Sequence, residues 1–182
     1  MVIRGVGRRA VMLWVVLLVL VAGALGVEYW RTHLGDLEPY GFGYRSAPVA
    51  PGTPVYIGIY EGSVDDDPHT VTIDRVTPRV TGRTSETRFE YLICYGPLGS
   101  VHGRAQLEQA CDRIEPALGR QTTFGAGGRD ARATLVVGID STAAGRVVIE
   151  GYDIDYSSGW RRGSRHSQVM TTVPFRRYAG SS

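Results

Sequence analysis

Eighteen consecutive uncharged residues, Ala10 to Val27, constrain this chain more than any other feature. A helix of that length rises about 27 Å, close to the ~30 Å hydrocarbon core of a bilayer, whereas secretory h-regions usually run only ~7–15 residues. Trp14 near one end, and Tyr29 and Trp30 at the other, occupy positions where aromatic side chains sit at membrane interfaces. Arg4, Arg8 and Arg9 precede the run, which assigns the short N-terminal side to the cytoplasm by the positive-inside rule. The competing reading is a cleaved signal: Ala22-Gly23-Ala24 is an A-x-A pattern, and a cut after Ala24 would leave an ordinary h-region. Both readings put the C-terminal body outside the cytoplasm. The retained anchor is the expectation: a cytoplasmic stub over 1–9, a transmembrane helix over 10–27, a Pro/Gly-rich linker over 28–54 and an extracytoplasmic domain over 55–182, in the cell membrane with a single pass.

All 20 basic residues are arginine, and the chain has neither lysine nor asparagine. A GC-rich genome explains this more simply than an arginine-specific function. From residue 28 onward 17 arginines face 18 acids, a net of −1, which is not the charge of a nucleic-acid binder. Exactly two cysteines, Cys94 and Cys111, in an exported domain are expected to pair as a structural disulfide. Their spacing is far from the C-x-x-C of a redox pair.

Gly35–Pro54 holds four prolines and four glycines and reads as a spacer rather than a packed element, although Tyr40, Phe42 and Tyr44 are unusual for one. Beyond it the pattern has period two. Val55, Ile57 and Ile59 alternate with their neighbours, as do Val71 and Ile73, with Val76 continuing the run. Further strands are expected over 88–95, 134–139, 146–150, 152–156 and 168–173, separated by turn signals such as Ser157-Ser158-Gly159. Alternating strands imply antiparallel sheets with one wet face. Leu107, Cys111, Ile114 and Leu118 fall at helical spacing, so a short inserted helix is expected over about 104–115.

The segment Gly145–His166, GRVVIEGYDIDYSSGWRRGSRH, resembles a C-terminal pattern of uncharacterised actinobacterial membrane-anchored proteins with an immunoglobulin-like extracytoplasmic β-domain. A G-x-V-x-I-x-G strand leads there into an I-D-Y strand and a basic hairpin. The resemblance implies a mainly β protein, an antiparallel immunoglobulin-like β-sandwich preceded by a single N-terminal transmembrane helix; the one short inserted helix read from spacing is a departure from a minimal sandwich of that kind. It implies a fold and no catalytic residue.

Candidate chemistry is sparse. Asp65-Asp66-Asp67 could offer oxygens to a hard cation, but consecutive turn residues seldom converge on one ion, and a solvated turn is the expectation. His33, His69, His102 and His166 show no zinc-ligand spacing, there is no G-x-S-x-G elbow, and Gly125–Gly128 lacks the lysine of a phosphate loop. No metal, no cofactor and no catalytic residue are expected. The most suggestive feature is the hairpin Trp160, Arg161, Arg162, Arg165 and His166. Arginine forks grip carboxylate and phosphate, and an exposed tryptophan can anchor an interface, while the bland alternative is a solubilising hairpin whose Trp160 packs on its own sheet. Arg176 and Arg177 are expected at the same end of the domain. The functional expectation is a non-enzymatic binding or scaffolding module. Besides the bilayer held by its helix, its partner would be an acidic protein, an anionic lipid or an anionic cell-wall polymer. The alternatives are a cell-envelope hydrolase or transferase with an unrecognised site, or a ligand-sensing ectodomain.

Overall fold

A computed structural model describes residues 8–33, 43–61, 68–83, 86–96, 98, 100–125 and 132–177. The chain opens with helix α1 (Arg8–Thr32), longer at its C-terminal end than the uncharged run. Its Met12–Thr32 stretch is long and apolar enough to cross a membrane. Every described side chain on it is exposed. A helix apolar all round whose described side chains all remain exposed has the character of a membrane span.

The rest is mainly β. In chain order the elements are β1 (Tyr44–Arg45), β2 (Val55–Glu61), β3 (His69–Gly82), β4 (Thr87–Tyr95), β5 (Ser100–His102), α2 (Arg104–Ala110), β6 (Arg113–Pro116), β7 (Gln121–Phe124), β8 (Ala133–Ser141), β9 (Gly145–Ser158), β10 (Arg161–Ser167) and β11 (Thr171–Phe175). They form two sheets. One runs β1-β11-β9-β3-β7, with β10 also paired to β9; the other runs β5-β2-β8-β4-β6. Ile57, Ile59, Ile93, Leu135, Val137 and Ile139 of the second sheet share one buried cluster with Val71, Ile73, Val147, Ile149, Tyr156 and Val173 of the first. At ~25 cal/mol per Å2 of apolar surface removed from water, this common core is the main source of the domain's stability.

Period two locates the strands but not their irregularities. In β3 the inward positions step from Ile73 to Val76 because the pairing with β9 shifts between Ile73 and Arg75. In β9 they step from Ile149 to Tyr152 across Gly151, so the two strands expected at 146–150 and 152–156 are one continuous strand. Strand β8 is buried on both faces from Ala133 to Ile139. Its outward Val136 belongs to a second cluster with Tyr56, Leu92, Cys94, Leu107 and Cys111, which α2 covers. The expected wet face is therefore largely dry on this sheet.

Three further sequence expectations need correction. The inserted helix stops at Ala110 rather than about 115. Cys111 is already extended, and Arg113–Pro116 pairs with Leu92–Tyr95. The open edge of β4 offers that segment a full set of backbone partners, which outweighs helical spacing at Ile114. Next, residues 43–54 are not a free spacer. Tyr44 and Arg45 pair in parallel with Thr171 and Thr172, and Val49 is buried beside Phe175. Proline-rich chain suits a sheet edge, where a missing N–H costs little, so the first sheet is not wholly antiparallel. Last, Gln168–Val173 is displaced, the observed strand being Thr171–Phe175. Tyr40, Phe42 and Asp65–Asp67 lie outside the described residues, as does most of Gly125–Gly128.

Cys94 and Cys111 lie at disulfide distance, with sulfurs 2.07 Å and Cα atoms 5.4 Å apart. The bridge ties the end of α2 to β4 within one layer of the domain.

Candidate functional site

The β9–β10 hairpin turns through Gly159 and Trp160, with Arg161 opposite Ser158. Gly159 has φ +60, as a two-residue turn with glycine in the first central position requires. Such a turn splits the basic run, because neighbouring residues of a strand face opposite sides. Arg162, Ser164 and His166 fall opposite Ser157, Asp155 and Asp153, on the outer side of the sheet. Arg161 and Arg165 fall opposite Ser158 and Ile154 on the other side.

The hairpin meets the end of α1. The Trp160 and Trp30 rings lie with centroids 4.9 Å apart and planes tilted by 57°. The Arg161 guanidinium sits 4.4 Å from the Trp30 ring centroid. It also donates from Nε to the Trp30 carbonyl and from Nη2 to the His33 carbonyl, each at 3.4 Å. The last carbonyls of a helix lack intrahelical partners and carry partial negative charge. Arg161 supplies both a donor and a cation there, and stacks on an aromatic face.

Between helix end and hairpin lies a cleft of about 770 Å3, lined by Arg31, Thr32, Asp74, Arg75, Asp155, Tyr156, Ser157, Gly159, Trp160, Arg162, Gly163 and Ser164. Its acids are engaged. Asp155 accepts from Arg75 Nε at 2.8 Å and Nη2 at 2.7 Å. The Ser164 hydroxyl, and then Arg75, hold its carboxyl below the usual carboxylate range. Asp74 accepts from the Ser157 hydroxyl at 3.1 Å. Arg31 lies 3.9 Å from Glu28. Arg162 has no acidic partner among the described residues.

Of the residues singled out in the sequence, Trp160 and Arg162 line the cleft, and Arg161 closes it against α1. Arg165 does not line it. His166 is occupied elsewhere: its Nδ1 pairs with Asp153 at 2.8 Å, and its Nε2 meets Arg79 Nη2. Arg176 and Arg177 do not join this end. They follow Phe175, which pairs with Gly145 at the opposite end of β9. Arg31, Asp74, Arg75 and Asp155 were not foreseen. Arg75 and Asp155 are 80 positions apart, and only the β3–β9 register brings them together.

A second polar group lies on the outer face of the other sheet. The Tyr56 hydroxyl donates to Glu90 at 2.6 Å, and Arg104 of α2 lies 3.9 Å from Glu90 and 3.1 Å from Glu108. Burial, then Glu90, pushes the Tyr56 phenol up to about 12. The group clamps α2 onto the sheet. Among the described residues, no cluster of three or more His, Cys, Asp or Glu side chains could hold a metal ion. No protein-family model and no curated protein matches this chain significantly.

Proposed function

We propose that this protein is a membrane-anchored, extracytoplasmic binding or scaffolding module whose binding surface is the cleft between the β9–β10 hairpin and the end of α1. The observation that carries this reading is the seating of Trp160 and Arg161 on Trp30 beside a cleft that holds Arg162, which has no acidic partner among the described residues. An arginine whose forks meet no carboxylate among the described residues suits a carboxylate or phosphate group. The partner is accordingly anionic. The N-terminal arginines support an orientation with the N-terminus in the cytoplasm.

We read the two-sheet domain as a sandwich of the immunoglobulin-like kind, on the support of the core its sheets share. The disulfide departs from that pattern, since it ties a helix to one sheet instead of bridging two. Binding is preferred to catalysis because, among the described residues, no histidine or cysteine lines the cleft and the two carboxylates that do are held by neighbours.

The test is photocrosslinking in cells from position 160, followed by mass spectrometry, in an otherwise unchanged chain and in one with Arg161, Arg162 and Arg165 changed to Ser. The expected result is an anionic partner captured by the first and lost from the second. Identical capture by both would reject the hairpin as the binding surface.

A further inference from the structure

We infer that the occupant of this cleft is the phosphate of an anionic phospholipid headgroup, drawn from the leaflet in which α1 ends, with Arg162 as its charged anchor. The inference rests on the binding-module reading and on α1 spanning a bilayer, and it narrows the first of these to one ligand.

Position is the first argument. Thr32 closes both α1 and its apolar stretch, and it lines the cleft with Arg31. A cleft at the end of a membrane span lies at headgroup level. The tilted Trp30–Trp160 pair beside it is the kind of amphipathic aromatic surface that settles at that depth. An acidic protein would have to enter the same narrow layer against the headgroups already there.

Charge is the second argument. Three arginines and two aspartates line the cleft. Arg75 is consumed by Asp155, and Asp74 is capped by Ser157. The exposed forks of Arg162 are left over, with Arg31 only loosely tied to Glu28. The Ser157 hydroxyl satisfies Asp74 without cancelling its charge, so three arginines against two aspartates leave a net of one positive charge for one phosphate, whose oxygens match the spacing of guanidinium donors. The aspartates disfavour a polyanion, because each further phosphate would face a carboxylate. A headgroup carrying a single negative charge fits better than a long anionic polymer.

The experiment uses the full chain in neutral detergent, in a Trp14→Phe background so that fluorescence reports Trp30 and Trp160. It is titrated separately with short-chain phosphatidylglycerol, short-chain phosphatidylcholine and inorganic phosphate. The expected result is saturable quenching or shift with phosphatidylglycerol, weaker with the other two. The Arg162→Ser variant should weaken phosphatidylglycerol binding about tenfold, the loss of one charge-assisted contact. Arg165→Ser, a change of equal charge outside the cleft, should leave it unchanged. Equal affinity for phosphatidylcholine would overturn the role of negative charge, and equal affinity for inorganic phosphate would overturn the lipid as source. Equal losses from both variants would reduce the effect to general charge and overturn the site. If the lipid fails any of these while position 160 still captures a protein in an arginine-dependent way, the lipid assignment falls and the binding-module reading stands. Failure of both assays removes both.

Discussion

Trp30, in the last turns of the apolar helix, and Trp160, at the tip of the β9–β10 hairpin, lie with ring centroids 4.9 Å apart although 130 positions separate them in the chain. Two indoles this close and tilted couple their transitions. The full chain should therefore show an exciton couplet in far-ultraviolet circular dichroism. Trp30→Phe and Trp160→Phe should each abolish it, and Trp14→Phe should not. A couplet that survives Trp160→Phe would mean that the hairpin does not rest on the helix.

The bridge between Cys94 and Cys111 closes a segment with a sequence separation of 17. Restricting the unfolded chain over such a loop is worth about 3 kcal/mol. Both sulfurs are buried in the cluster under α2, so reduction should loosen that helix first. Chemical denaturation with and without a reductant should show a loss of unfolding free energy of that order. Two free thiols titrated in the unreduced, unfolded protein would contradict the pairing.

Three tyrosines make the domain sensitive to alkali. Burial raises Tyr56 and Tyr91 to about 12, with Glu90 adding to the shift at Tyr56, and burial raises Tyr152 as well. A phenol ordinarily ionises near pH 10. Below that pH both the folded and the unfolded chain hold the proton, and the full stability is present. Between about pH 10 and 12 the unfolded chain releases protons that the folded one retains, so stability falls by about 1 kcal/mol per pH unit for each such tyrosine. Denaturant melts across that range should show the decline, and Tyr56→Phe should make it shallower. Stability independent of pH across that window would contradict the burial of these hydroxyls.

Gly138 is the residue over which Tyr56 reaches Glu90. A Cβ there would stand 2.7 Å from Tyr56 Cε1 and 2.6 Å from Glu90 Cγ. Tyr56 is almost wholly buried, and its ring is held by the hydroxyl contact to Glu90. Gly138→Ala should therefore cost about 1–3 kcal/mol through overpacking, read as a lower thermal midpoint. An unchanged midpoint would show that ring and carboxylate move aside freely.

The sequence disclosed those parts of the fold that rest on local periodicity. Val55, Ile57 and Ile59 announce a buried strand because one residue in two must meet the core, and Thr134 to Ile139 does so as a short, mostly apolar run buried on both faces. The apolar run before Glu28 announces a span by length alone. Strand β10, RRGSRHS, contains no apolar side chain, so nothing local marks it as a strand. It is one because the turn at Gly159 zips it against β9. Tyr44 and Arg45 were hidden for a similar reason, since their partners Thr171 and Thr172 lie far along the chain. In the candidate site, Trp160 and the arginines were visible as a cluster of residue types. Their division between two faces, and the arrival of Arg75 and Asp155 beside them, depend on register, which composition does not encode.

The most direct measurement places a single spin label at position 160, as Trp160→Cys with Cys94 and Cys111 left bonded, in the chain reconstituted into bilayers. Its accessibility to oxygen and to a water-soluble relaxant gives its depth. Ala144 lies in the turn just before β9, at the strand end away from the hairpin, and Ala144→Cys serves as the reference. The label at 160 is expected at headgroup depth and the label at 144 in bulk water. Bulk-water accessibility at position 160 equal to that at 144 would contradict the placement of the hairpin at the membrane surface.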